Sequence, residues 1–399
     1  MERLRRGMGL LLMAGLILLG GSGKAQAVVG IPDDVPAATL LYPFFTVDPT
    51  PAEDSRLDTL LVVTNTANRK ITVHFTIWSV TSQHIYDFSV PLTEHDVFSC
   101  SLLDLIVNPE EFESPCGVSQ APTGVIDLLE VGEALAGYVT ADVVSTPTSA
   151  FPGQAVYPFV DWNILIGHMY LVNLPAGSAT GFNAVSIEAV SNFGTGTSVG
   201  QTANAIDPLQ QTGFYLTRCL EEQAAISCAP LGTYGNRERI DGPAGDVAQT
   251  GSGSPIDSSL SLITRYFSQP ALNGRSQVWL WKDRSTTGAA SSVSLAVYDE
   301  DENSHSVTFN LPGEVNFAPT DDIITPGAPG GWFRIKFDCG PFGSCGYLPT
   351  TPATVATTPI QAVAYSLQFA NDQDETLRWD ALFPAHRQYT AYQGGSNAE

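Results

Sequence analysis

The sequence predicts an all-β chain of two tandem antiparallel β-sandwich domains with a small stapled insert between them. Three observations predict it. Short runs of alternating apolar and polar residues, rich in Val and Thr, are bounded throughout by Pro and Gly clusters. Helical periodicity is scarce. And the chain, laid on itself, reads twice.

The strands come first. Residues 60–63, 71–78 and 85–90 alternate as half-buried strands do. In 71–78, Val73, Phe75 and Ile77 share one face, while Thr72, His74 and Thr76 share the other. The first face is expected inward and the second toward solvent. Helical spacing is confined to two short stretches, 125–135 and 208–225.

The repeat has four blocks in constant order. Residues 71–78 match 291–298, 86–91 match 307–312, 137–143 match 331–337, and 170–172 match 365–367. Phe98 and Tyr138 stand 40 apart, Phe317 and Trp332 only 15, so the first copy carries 25 extra residues there. Amphipathic strands often match by chance, but four blocks in order favour a duplication. This places domain 1 at 28–195, domain 2 at 257–392 and a tail at 393–399. Residues 196–256 are rich in Gly, Ser, Thr and Asn, a flexible linker composition. Within them Cys219 and Cys228 suggest a small stapled helical knob.

The N-terminus reads as a targeting segment. Arg3, Arg5 and Arg6 precede an apolar run of 13 residues, 8–20, too short to span a bilayer comfortably. Ala25 and Ala27 supply the small side chains of a cleavage site, so residues 1–27 are expected to be a signal peptide. Its removal would take the net charge from −23 to −26 through loss of Glu2, Arg3, Arg5, Arg6 and Lys24. Such acidity argues against nucleic acid or an anionic lipid surface as partner. No later stretch is long and apolar enough to span a membrane.

All six cysteines lie beyond residue 27, in three close pairs: Cys100 with Cys116, Cys219 with Cys228, Cys339 with Cys345. Several connectivities are open, but local pairing closes the shortest loops. An exported protein reaches a compartment where such bonds persist. No Cys/His spacing suits zinc.

Residues 40–48 (Leu-Leu-Tyr-Pro-Phe-Phe-Thr-Val-Asp), followed by 59–65 (Thr-Leu-Leu-Val-Val-Thr-Asn), resemble a family of secreted bacterial proteins of unassigned function. These share an "LLPYF.VD … TLF.V.N" opening and a segment like His95-Asp96-Val97. The resemblance covers about the first hundred mature residues. It implies export and a β-rich fold and brings no catalytic residues. The domain pattern is also broadly similar to immunoglobulin-like modules, although the inter-sheet Cys–Trp–Cys spacing is absent.

Few motifs in the chain carry chemistry. There is no G-x-S-x-G element. His74, His84, His95, His168, His305 and His386 form no close metal-binding spacing, although His74 and His84 flank one hairpin. The glycine-rich run 194–200 has no Lys and joins no strand to a helix. Two acidic turns offer hard oxygen ligands for calcium: Asp299, Asp301 and Asn303 in one, Asp372 and Asp374 in the other. Trp279 and Trp281 share a strand face, opposite Val278 and Leu280, and would make a sugar platform if that face were open. With no catalytic residue, resident metal or cofactor indicated, the expectation is an exported non-enzymatic structural or interaction protein, periplasmic, extracellular or at the cell surface. Its partner would be a protein or surface polymer of the cell envelope. The alternatives are a carbohydrate- or ligand-binding module and an enzyme with a non-contiguous site.

Overall fold

The computed structural model describes residues 35–48, 57–80, 82–107, 129–131, 134–152, 154, 156–173, 177–189, 214–220, 227–234, 258–269, 274–282, 292–310, 314–319, 329–338, 362–371 and 378–391. In the N-terminal half these form β1 (Thr39–Val47), β2 (Leu57–Asn65), β3 (Ile71–Ser79), β4 (His84–Leu92), β5 (Val97–Ser101), a short helix α1 (Leu102–Val107), β6 (Leu129–Val131), β7 (Ala134–Val144), β8 (Leu165–Asn173), β9 (Ser178–Asn183) and β10 (Val185–Ile187). A hairpin follows, β11 (Phe214–Leu220) with β12 (Ser227–Tyr234). The C-terminal half contains β13 (Ser258–Phe267), β14 (Arg275–Lys282), β15 (Ser292–Asp299), β16 (Ser304–Asn310), β17 (Val315–Pro319), β18 (Gly330–Asp338), β19 (Ala362–Asn371), β20 (Arg378–Pro384) and β21 (His386–Ala391).

The N-terminal half has one sheet in the order β10-β1-β7-β3-β4, with β6 also on β7, and a second in the order β5-β2-β8-β9. The C-terminal half has β21-β13-β18-β15-β16 and β17-β14-β19-β20. The two orders correspond strand for strand. The four repeat blocks fall on the equivalent pairs β3/β15, β4/β16, β7/β18 and β8/β19. All described pairings are antiparallel.

The inward faces obey the alternation. Val73, Phe75 and Ile77 of β3 are buried, and Phe75 meets Phe98 of the second sheet at 5.6 Å between ring centroids. Tyr42 of β1 donates from its hydroxyl to the Val62 carbonyl across the layers at 2.9 Å. The C-terminal half has its own core of Leu262, Tyr266, Val278, Leu280, Leu295, Val297, Phe333 and Ile335. One detail is common to both halves. A side chain on Gly137 of β7 would strike the Trp78 carbonyl and the Phe45 ring, and one on Gly331 of β18 would strike the Tyr298 carbonyl and the Tyr266 ring. Equivalent glycines thus permit equivalent close approaches.

The N-terminal core does not stop at its own half. It continues into Trp279, Trp281, Val315, Val363, Tyr365 and Leu367. Phe44 of β1 stacks on Trp279 at 4.6 Å and 10°, Phe182 of β9 meets Tyr365 at 4.9 Å, and Tyr138 meets Trp281 edge-on at 6.0 Å. The amides of Glu314 and Val315 both donate to the Val80 carbonyl, at 2.7 and 3.2 Å. β14 is apolar on both faces because both are covered: Val278 and Leu280 by its own half, Trp279 and Trp281 by the other.

Several expectations change. The described part of the helical stretch 125–135 is strand, because Leu129 to Val131 pair back on Ala136 to Ala134. The described part of 208–225 is β11, whose Phe-Tyr-Leu-Thr run suits a pleated sheet, so the described part of the insert is a hairpin where a helical knob was expected. Cys219 and Cys228 stand directly opposite each other in that hairpin. Cys100 is buried in β5, while Cys116, Cys339 and Cys345 lie outside the described residues. So do the segments 1–27 and 393–399. The Thr72–His74–Thr76 face is not solvated: His74 and Thr76 are fully buried, beneath a connection that brings in Thr148 and Tyr157. No helix among the described residues is long and apolar enough to cross a membrane.

A candidate binding cleft between the halves

Where the two halves meet, a cleft of about 250 Å³ opens beside the aromatic seam. The N-terminal half contributes Thr46, Leu57, Asp58, Leu171, Val172, Asn173 and Thr180. The C-terminal half contributes Arg275, Gln277, Trp279, Leu367 and Phe369. Strand alternation explains the C-terminal set. Residues 275, 277 and 279 share one face of β14, and β19 pairs Phe369 with Arg275 and Leu367 with Gln277.

The walls are polar at the rim and apolar at the base. Arg275 is exposed, with its guanidinium 5.9 Å from the centre of the Phe369 ring. Gln277 accepts from the Trp279 indole N–H at 3.3 Å. Asp58 accepts from the Ser101 hydroxyl at 2.8 Å and from the Leu103 amide at 3.0 Å, which ties the β5–α1 junction to the cleft wall. Thr46 and Thr59 cross-link β1 and β2, the Thr59 hydroxyl donating to the Thr46 carbonyl at 2.8 Å.

This geometry corrects the tryptophan platform. Trp279 and Trp281 retain only 2% and 1% of their exposure. Phe44 and Phe317 stack against Trp279 at 4.6 and 5.0 Å, so its ring is packed between aromatics. The pair is interface core, and Trp279 touches the cleft while being held by its neighbours.

No family model matches the chain, and no curated protein matches it. Among solved structures, the lectin of Pleurotus ostreatus in its apo form is 11% identical over 93% of this chain and 82% of that one, with a TM-score of 0.18. The Pleurotus ostreatus lectin in complex with GalNAc is 8% identical over 92% and 79%, at a TM-score of 0.16. A β-glucuronidase of Bacteroides uniformis is 7% identical over 91% and 27%, at 0.12. Likeness this low supports no argument about architecture or ligand.

A second polar group lies under the 145–164 connection. His74 Nδ1 and the Ser89 hydroxyl are 2.9 Å apart, and Ser89 also accepts from the Thr148 amide at 3.2 Å. His84 Nε2 meets Asp87 Oδ2 at 2.8 Å, and its ring stacks on Phe151 at 4.3 Å. His74 Nε2 is 3.7 Å from Asp87 Oδ1 and makes no hydrogen bond. Burial pushes the His74 imidazole down to about 4, against the pull of Asp87 and with the help of His84. His74 is therefore neutral at pH 7. Beside it, buried Asp142 accepts from Thr39 and from the Tyr157 hydroxyl. Ser89, His74 and Asp87 are the residue types of a nucleophilic triad, but the carboxylate is beyond hydrogen-bond reach and Ser89 is buried against Thr148. Among the described residues no group of three or more His, Cys, Asp and Glu is arranged to hold a metal ion.

The acidic turn 299–303 folds onto itself. Asp299 Oδ1 accepts from the amides of Asp301 and Asn303, at 3.0 and 2.8 Å, and Oδ2 accepts from the Asn303 side chain at 2.9 Å. These bonds, led by the one from the Asn303 side chain, hold the Asp299 carboxyl below its usual range. Asp372 and Asp374 lie outside the described residues. The sequence reading missed Asp58, Asn173, Thr180, Arg275 and Gln277. Their meeting depends on how the halves dock, and no local spacing carries that information.

Proposed function

We propose that this chain is an exported, non-enzymatic recognition protein. Two immunoglobulin-like β-sandwiches act as one body, and the cleft between them holds a ligand of the cell envelope or extracellular surface. The observation that supports this most is that both halves line one cleft with amide, hydroxyl, carboxylate and guanidinium groups over an aromatic base. Concave sites of this kind are favoured where domains meet. The Ser89–His74–Asp87 group is read as a structural network under its covering connection.

Export is checked by intact mass, with a mature chain beginning at Val28 as the expected result. The cleft is checked by capture of envelope material on the immobilised mature protein, compared with Thr180→Trp, which fills the cleft from the β9 side. Capture should fall with Thr180→Trp. Capture that is unchanged would move recognition to another surface. Ester, glycoside or peptide turnover lost on Ser89→Ala would make the protein an enzyme instead.

A further inference from the structure

Arg275 is the informative residue of the cleft. The chain carries 41 Asp and Glu against 18 Lys and Arg, so an arginine here would be expected to find a carboxylate. No described carboxylate stands within ion-pair distance of it, and its guanidinium lies 5.9 Å from the centre of the Phe369 ring. Asp58 lines the same cleft, but its oxygens are turned to Ser101 and Leu103. A guanidinium presents a planar fork of donors that matches a carboxylate in two parallel hydrogen bonds.

The remaining polar groups are of a different kind. Thr180 offers a hydroxyl. Gln277, whose oxygen accepts from Trp279, has its amide N–H groups to donate. Asp58 keeps lone pairs that can accept from a hydroxyl. These suit hydroxyl groups, and the Phe369 ring suits the apolar face of a carbon ring. The cleft volume of about 250 Å³ fits one such ring and not a long segment. A net charge of −23 repels polyanions, so a single carboxylate is favoured over many.

We propose, resting on the cleft reading above, that the ligand is a sugar acid of monosaccharide size, with its carboxylate on the exposed guanidinium of Arg275 and its hydroxyls toward Asp58, Thr180 and Gln277. The C-terminal half holds the charged end, and both halves meet the hydroxylated end.

The test uses the mature full-length chain and ligand-observed NMR titration with two probes, galacturonate and galactose. Galacturonate should bind about tenfold or more tightly than galactose. Arg275→Ala should abolish that preference. Arg275→Lys, which keeps the charge and loses the fork, should retain part of it. Galacturonate binding should weaken with added salt. Equal binding of both probes, or a preference that survives Arg275→Ala, would overturn the sugar acid and leave a neutral-sugar cleft standing. Binding of neither probe would overturn the sugar acid, and the cleft reading would fall with it only if capture of envelope material is also unchanged by Thr180→Trp. Circular dichroism of each variant checks its fold; Arg275 is exposed at the start of β14, so the substitutions remove no core.

Discussion

The two halves share a strand order and differ in which outer faces they cover. In the N-terminal half, the outer face of β3 and β7 is sealed, with His74, Thr76, Thr140 and Asp142 fully buried. In the C-terminal half the equivalent face is open: Trp332 is 36% exposed and stacks on Tyr298 at 4.0 Å. The second sheets reverse the pattern. β2 buries Leu61 and Val63 and leaves Leu60 and Val62 half-buried, with Tyr170 exposed beside them, whereas β14 is buried on both faces, one by its own half and the other by the docking of the halves. Repetition of a topology therefore does not repeat its surfaces. The difference lies in what packs outside each sheet, and here it assembles a cleft to which neither half alone contributes both charged groups.

The largest effect is expected at the seam. Trp279→Ala removes an indole packed between Phe44 and Phe317 and should cost about 3–5 kcal/mol in denaturant unfolding. For the same reason the fragment 257–399 on its own would expose Trp279 and Trp281 to water, and it is expected to aggregate or bind a hydrophobic dye. A monomeric, cooperatively folded fragment would break the seam argument.

The sealed polar face should show in pH dependence. His74 has a folded pKa near 4 and an unfolded value near 6.5, so the unfolded chain binds the extra proton between them. Its contribution to stability is complete above about pH 6.5 and falls as pH drops toward 4, by up to about 3 kcal/mol. His74→Gln should flatten that part of the profile. The equivalent β15 position is Ser294, so the C-terminal half has no counterpart of this buried imidazole.

A paired substitution sharpens the equivalence. Gly137→Ala and Gly331→Ala each force a methyl group against a neighbouring strand's carbonyl, and each should cost about 1–3 kcal/mol. A large difference between them would show that the two close approaches are not equivalent. Trp332→Ala, on the open face, should change stability by less than about 1 kcal/mol.

Most of the strand layout was legible in the sequence. Val73, Phe75 and Ile77 announced an inward face because a period of two is a local property. The four repeat blocks gave equivalent strands because like strands occupy like places. The outer faces were not legible. His74 and Thr76 read as solvent-facing because the residues that cover them, such as Thr148 and Tyr157, are far along the chain. Trp279 and Trp281 read as a platform because nothing local records that Phe44, more than two hundred residues earlier, lies against them. Within the helical spacing at 208–225, the described residues 214–220 are strand for a related reason: pairing of β11 with β12 overrides a weak local preference.

Differential scanning calorimetry of the mature full-length chain tests the central claim most directly. If the aromatic seam joins the halves into one body, unfolding should be a single transition with equal calorimetric and van't Hoff enthalpies, and Trp279→Ala should split or broaden it. Two separated transitions in the unaltered protein, both insensitive to Trp279→Ala, would show that the halves unfold independently and would contradict a cleft held open by their docking.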